Sequence, residues 1–370
     1  MRIDRRLEMH FDWIILALAL TVVMLSVLLL YSAAHSHAEY LAGIHLKQLS
    51  WLGVALLVML GALYPDYQLF CRHPYLLYAV AIAGLIAVLL FGRVINGAQR
   101  WLEIGPWRLQ VAEFVKPIVI LILARHFAAE TEKQQGNSLL SLRDLPVPLL
   151  LVGLPFLLIV KQPDLSTAMV LLTILCVMVS IIGLERKTLL CICVLGICTI
   201  PLAWQLLAEY QRDRIWSLLN PQSNLLGTGY HSWQSKIAIG SGGLWGKGFL
   251  AGTQSRLNFL PEKHTDFIFA ILAEEMGFAG VCVVLILFSG LLLQGLNIAY
   301  RSRDRLGALI ATGIVTFLAT QIFLNIGMTI GLLPIIGLPL PLLSYGGSSL
   351  VTTFFCLGLL MNIRMRRFKF

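Results

Sequence analysis

Between Leu306 and Ile363 the chain runs for 58 residues without one charged side chain. A helix crosses the ~30 Å hydrocarbon core of a bilayer with about 20 apolar residues, so this run is too long for a single crossing. The Pro- and Gly-rich segment GLLPIIGLPLPLLSYGG divides it into two. Read the same way, the whole chain holds ten candidate crossings, near 13–34, 48–64, 75–92, 113–127, 145–160, 165–184, 188–208, 267–297, 306–330 and 344–363. The fourth and fifth carry interruptions, Glu113, Lys116 and Pro117 in one and Pro146, Pro148 and Pro155 in the other. Only 13% of the residues are charged, against roughly 25% in soluble domains, which excludes a water-soluble enzyme and a disordered chain. The expected fold is an all-α polytopic membrane protein of about ten transmembrane helices, a single unit over residues 1–370.

Charge placement sets the orientation. Ten crossings put both termini on one side, and the segments on that side hold 16 Lys and Arg against five in the short segments opposite. The long connection 209–265 is left out of that count because long loops weigh little in the positive-inside rule. Both termini are therefore expected to be cytoplasmic. The net charge of +9 reads as topology, with Arg2, Arg5 and Arg6 before the first run and Arg364, Arg366, Arg367 and Lys369 after the last, and not as nucleic-acid binding. The first run is too long for a signal peptide and lacks an A-x-A-like cleavage site, so it is expected to remain as a helix. The seven cysteines lie almost all within apolar runs and read as packing residues. Four connections look unlike ordinary loops: NGAQRWLEIGPWRLQVAEFVK, KQPDLST, residues 209–265, and the turn ending SYGGSS. Each follows an odd-numbered crossing and so faces outward. Long loops are usually functional or partly structured, and a site assembled from all four is the simplest account.

Ionisable side chains inside membrane segments are costly and mark function by default. Glu113 and Lys116, three apart, share a helical face; they read either as a structural ion pair or as a lysine placed to hold a phosphate. Asp164 and Asp266 each open an apolar run. An aspartate there is either an N-cap or a group acting at the membrane–water boundary, for Asp266 a general base. Glu274 and Glu275 fall ~12–13 Å deeper along a continuous helix, and at least one should line a cavity or have a partner. GSGGLWGKGFLAG, from Gly240, is not a Walker A loop, which would need Gly at Ser241 and Ser or Thr at Gly248, and no strand–helix context supports a dinucleotide site. Its glycines permit tight turns or close backbone approach to a ligand. His231 and His264 lack the close spacing of a zinc site, and no metal is expected at either.

In chain order, NGAQRWL, the E-x-x-K of Glu113 and Lys116, QPDL, HTDFIFAILAEE and the stretch from Asn325 to Ser349, NIGMTIGLLPIIGLPLPLLSYGGSS, resemble landmarks of the SEDS family (shape, elongation, division and sporulation) of peptidoglycan glycosyltransferases. The resemblance covers essentially the whole chain. The stretch YQRDRIWSLLNPQSNLLGTGYHSWQSKIAIGSGGLWGKGFLAGTQSRLNFLPEKHTDFIF and the short N-terminal tail are more similar to the elongation branch than to the division branch. Two positions depart from the family pattern, Val111 where Pro is common and Ser166 where Gly is common, and both leave the motif acids in place.

The resemblance implies polymerisation of lipid II, a disaccharide-peptide on undecaprenyl pyrophosphate, at the outer face of the bacterial cytoplasmic (inner) membrane during cell elongation. The GlcNAc 4-hydroxyl would attack the anomeric carbon of the chain-end MurNAc, with inversion and release of undecaprenyl pyrophosphate. Asp266 is then the essential residue, as general base or as the group orienting the acceptor hydroxyl. Lys116, Arg100 and Arg214 would stabilise the leaving pyrophosphate, and Glu113 and Lys116 would shape the cavity. Asp164 would position substrate or, with less support, help hold a divalent cation; no other cofactor is implied. Ser344, Tyr345, Gly346 and Gly347 would form a cavity wall, with Glu275 adjoining. The implied partners are a class B penicillin-binding protein (a transpeptidase) and MreC/MreD-type elongation proteins. Two rival readings are a lipid II flippase and a non-catalytic scaffold. Against the flippase, the charged motifs crowd one face, whereas transporter sites lie near the midplane; a scaffold would tolerate loss of Asp266.

Overall fold

A computed structural model of the chain describes residues 11–35, 43–95, 98–105, 107–133, 139–206, 209–219, 228–256 and 264–367. Arg2, Arg5, Arg6 and Lys369, Asn96 and Gly97 of NGAQRWL, and residues 261–263 of the PEKH stretch lie outside the described residues. The apolar runs form helices. Helix α1 (Trp13–Ala34) and α2 (Ile44–Leu63) are followed by a single turn, α3 (Tyr67–Phe70), and then α4 (Pro74–Phe91). After a small sheet come α5 (Val111–Lys133), α6 (Pro146–Lys161), α7 (Leu165–Ile182) and α8 (Arg186–Leu206). The long connection contributes α9 (Glu209–Leu219), α10 (Thr228–Gly242) and α11 (Thr253–Arg256), and the chain ends with α12 (Ile268–Tyr300), α13 (Arg305–Thr329) and α14 (Gly347–Met365). Ten of these helices occupy the ten apolar runs. Among the described residues, α1, α2, α4, α7, α12, α13 and α14 are long and apolar enough to cross a membrane.

Helices α13 and α14 form the centre. Helix α14 lies along α2, while α13 packs on α5, α7 and α12. The peripheral helices are apolar on their outer faces as well, with Leu57, Leu90, Leu150, Ile286 and Leu293 exposed. Water would not tolerate so much contiguous apolar surface; lipid requires it.

Polar side chains close the arginine-rich end of the bundle. Asp12 caps α1 at Ile15 N and also accepts from Gln294 Nε2 (2.9 Å) and from Arg364. Buried Asn362 donates to the carbonyls of Ala62 (2.7 Å), Leu63 (3.2 Å) and Pro65 (2.5 Å), and its Oδ1 accepts from Tyr67 N and Arg366 Nε. The last carbonyls of α2, which have no partner within a helix, are thus satisfied from the far end of the chain. Asp304 caps α13 and accepts from the Tyr67 hydroxyl at 2.6 Å.

The all-α expectation needs one addition. Strands β1 (Arg93–Ile95), β2 (Ala98–Ile104) and β3 (Trp107–Leu109) form an antiparallel meander in that order, with Glu103 opposite Arg108. Glu103 accepts from Arg93 (3.1 Å) and Arg108 (3.2 Å), one on each neighbouring strand.

Candidate functional site

Helix α12 begins at Ile268 with Phe267 in the cap position, so Asp266 stands one residue before the cap and is not the N-cap residue. The turn that carries it is fastened through its own backbone carbonyls. Ser344 Oγ donates to Thr265 O (2.5 Å) and accepts from Leu340 N (2.8 Å). Asn325 Nδ2 donates to Asp266 O (3.0 Å) and to Leu338 O (2.6 Å), and Tyr345 N donates to His264 O (2.9 Å). The connection between α13 and α14 is therefore clamped onto the Asp266 turn. Gly337, at φ +69°, lies beside the carboxylate: a Cβ there would stand 3.4 Å from Asp266 Oδ2.

Of the SYGG residues, Ser344 is one of these clamps. Burial raises the Tyr345 hydroxyl above its ordinary pKa, with Arg108 pulling the other way, so the phenol stays neutral at physiological pH. Gly347 takes the Trp51 ring so closely that a Cβ would not fit, and Gly346 caps α14 in extended backbone.

Asp164 is the N-cap of α7, and its two oxygens accept from Thr167 N and Oγ1, Ser166 Oγ and Gln110 Nε2. The Arg100 guanidinium reaches the same turn, donating to the carbonyls of Gln162 and Pro163 and lying 3.9 Å from Asp164 Oδ1. This ties the meander to QPDL. The donor set does not suit a divalent cation, which takes six or more oxygen ligands in its shell; Asp164 is saturated by hydrogen-bond donors and faces a fixed positive charge. Among the described residues no group of three His, Cys, Asp or Glu side chains converges.

A cavity of ≈110 Å³ opens beside this turn, lined by Arg100, Ser166, Arg214, Pro334 and Ile336 among others. All four outward connections meet there. Ile336 precedes Gly337, so the residue beside the Asp266 carboxylate is the next one along the chain from the cavity wall. Ligand pockets run to roughly 300–1,000 Å³; this one has room for a phosphate-sized group and not for a disaccharide.

Glu113 and Lys116 lie below the rim on α5. Lys116 Nζ is 2.6 Å from Glu113 Oε1 and 4.9 Å from the centre of the Phe317 ring, and both side chains are fully buried. Glu113 Oε2 has no hydrogen-bond partner among the described residues.

Glu274 and Glu275 have the partners expected of buried carboxylates, just ahead of a break in α12. Helix α12 breaks at Gly277 (φ +64°), and Glu275 bonds to Ser32, two residues from the outward end of α1. The break deprives Glu274 O and Glu275 O of the amides of Phe278 and Ala279. The loop after α10 replaces all four groups: Lys247 N and Gly248 N donate to those carbonyls (3.0 Å each), while Gly243 O and Leu244 O accept from Phe278 N (2.9 Å) and Ala279 N (3.1 Å). Glu274 Oε1 holds the returning loop and the start of α11 through Lys247 Nζ, Thr253 N and Gln254 N. Gly242 and Gly246 of GSGGLWGKG thus serve close backbone approach to a helix, and Gly243, Gly246 and Gly248 take the left-handed backbone of tight turns. A Cβ at Gly246 or Gly277 would be driven into the other segment's backbone. Gly277→Ala is expected to destabilise the protein by more than the ~1–2 kcal/mol of left-handed strain alone, whereas Gly240→Ala, with open space around it, should gain up to ~1 kcal/mol of helix propensity; thermal unfolding in detergent compares them.

The structure therefore brings Asp266, Ser344, Tyr345, Asp164, Arg100 and Arg214 to one end of the bundle, with Glu113 and Lys116 beneath, while the described bond of Glu275 is to α1. Sequence reading did not single out Asn325 or Gly337. Asn325 is polar in an otherwise apolar run, and that was the available signal.

The fold and site define a multi-pass helical membrane protein with an acid–arginine site at one end of its bundle. The chain matches the FtsW/RodA/SpoVE family of cell cycle proteins over residues 10–369 and belongs to it. It is 40% identical over 362 residues to the peptidoglycan glycosyltransferase MrdB of Escherichia coli (strain K12), covering 97% of this chain and 95% of that one. Among solved structures it resembles a chain from a study of how a peptidoglycan synthase complex coordinates polymerization and crosslinking (TM-score 0.83, 29% identity, 97% of this chain and 99% of that chain). It also resembles the rod shape determining protein RodA of Thermus thermophilus (TM-score 0.71, 29% identity, 97% and 98%).

Proposed function

We propose that this chain is a peptidoglycan glycosyltransferase that polymerises lipid II at the outer face of the bacterial cytoplasmic membrane during elongation. The observation that carries the reading is that Gly337, beside the Asp266 carboxylate, directly follows Ile336 in the wall of a cavity flanked by Arg100 and Arg214. Asp266 takes the proton of the GlcNAc 4-hydroxyl as its oxygen bonds to the anomeric carbon of MurNAc. The bond from that carbon to the pyrophosphate oxygen breaks, and undecaprenyl pyrophosphate leaves with the electron pair. Arg100 and Arg214 meet the charge that develops on the leaving group. One base suffices, because a single displacement inverts the anomeric carbon. Asp164 and Ser344 hold the turns, and the Glu113–Lys116 pair supports the floor of the cavity.

A class B penicillin-binding protein fits as the partner, since one structural relative belongs to a complex that couples polymerization to crosslinking; MreC/MreD-type proteins are further neighbours. The test is glycan polymerisation from purified lipid II by this protein with its transpeptidase partner. Arg214→Gln is expected to slow turnover by about 100-fold, the scale of losing one preorganised charge-stabilising donor, while the complex still assembles. Unchanged turnover would remove Arg214 from the site.

A further inference from the structure

The loop that splints the break in α12 carries a second feature that catalysis does not use. Its tip presents Leu244 (68% exposed), Trp245 (83%) and Phe249 (47%), continuous with Phe278 (61%) on α12. The Phe249 ring is stacked with that of Tyr31 on α1, their centroids 6.4 Å apart and their planes 12° apart. Two independent rulers give the height of this tip. Tyr31 and Ser32 lie 18 and 19 residues beyond Trp13 on α1, about 28 Å along the helix at 1.5 Å per residue. Phe278, whose amide bonds to the loop, lies 22 residues from Tyr300 on α12, about 33 Å by the same rise. Both place the tip at the outward edge of a ~30 Å hydrocarbon layer.

We infer that the tip, residues 244–249, is a lipid-docking surface: it seats Leu244, Trp245 and Phe249 among the phospholipids of the outward leaflet and moors the long connection there. Three features agree on lipid as the occupant. Trp and Tyr concentrate at membrane–water boundaries, where an aromatic body and a polar edge are both satisfied. Irregular backbone survives at that level only when its polar groups are bonded within the protein, and the four groups freed by the break are bonded to the loop. The only charged side chain of the tip, Lys247, turns inward to Glu274 at 2.8 Å, leaving an uncharged outer face.

The test compares wild type with Trp245→Phe in lipid nanodiscs, the difference giving the emission of Trp245. With phosphatidylcholine brominated at acyl carbons 6 and 7, this emission is expected to lose most of its intensity, while aqueous iodide leaves it unchanged. Emission quenched by iodide and untouched by the brominated lipid would overturn the proposal. So would bromolipid quenching that disappears when the transpeptidase partner is bound, since the surface would then be a protein dock. Thermal unfolding of Trp245→Phe checks that the fold is intact. The readout requires no turnover, so it stands or falls separately from the glycosyltransferase reading.

Discussion

Asp266→Ala is expected to abolish glycan polymerisation from purified lipid II, by at least the roughly 100- to 10,000-fold that a positioned general base contributes, with folding and partner binding retained. The turn explains why retention is expected. Asp266 is held through its carbonyl, by Asn325, and its neighbour Thr265 by Ser344; these bonds persist when the side chain is truncated. Measuring polymer length by gel alongside co-purification of the partner separates the readings. A polymerase loses product and keeps the partner, whereas a scaffold keeps its function. A flippase would show no polymer from either protein in a partner-competent preparation, and would move lipid II across vesicles.

The second large effect concerns stability. Lys116→Met leaves Glu113 buried without its counter-charge, a change that costs about 3–5 kcal/mol for a broken buried pair. Glu113→Gln together with Lys116→Met removes both charges and is expected to recover most of that loss, because an apolar or neutral replacement of a buried pair is often nearly neutral. Thermal unfolding in detergent reads the difference. If the single and double variants unfold alike, the ion pair is not what the lysine contributes, and its position over Phe317 becomes the better account.

Much of this architecture was legible in the sequence because the bilayer imposes so simple a rule. The run at 13–34 is α1 to the residue, and each of the other nine apolar runs contains its helix to within a few residues at most ends. What escaped was local. The meander is flagged by Asn96-Gly97 and Gly105-Pro106 between short alternating segments, a hairpin signal masked by the surrounding hydrophobicity. Asp164 fulfilled its N-cap reading and Asp266 did not, a distinction that depends on one residue of register. That Glu274 or Glu275 needs a partner was readable, but not which one: the loop that brings Lys247 to Glu274 docks at a helix break at Gly277, and nothing in HTDFIFAILAEEMGFAG distinguishes that glycine from one that a helix tolerates.

Asn362 has a consequence for how the molecule is made. The carbonyls of Ala62, Leu63 and Pro65 wait for a partner that lies 297 to 300 residues further along the chain. During synthesis the second helix must therefore enter the membrane with its inner end open to water or to the insertion machinery, and the bundle can lock only after the final helix has left the ribosome. Shortening the chain by its last nine residues would remove the latch while sparing every outward motif.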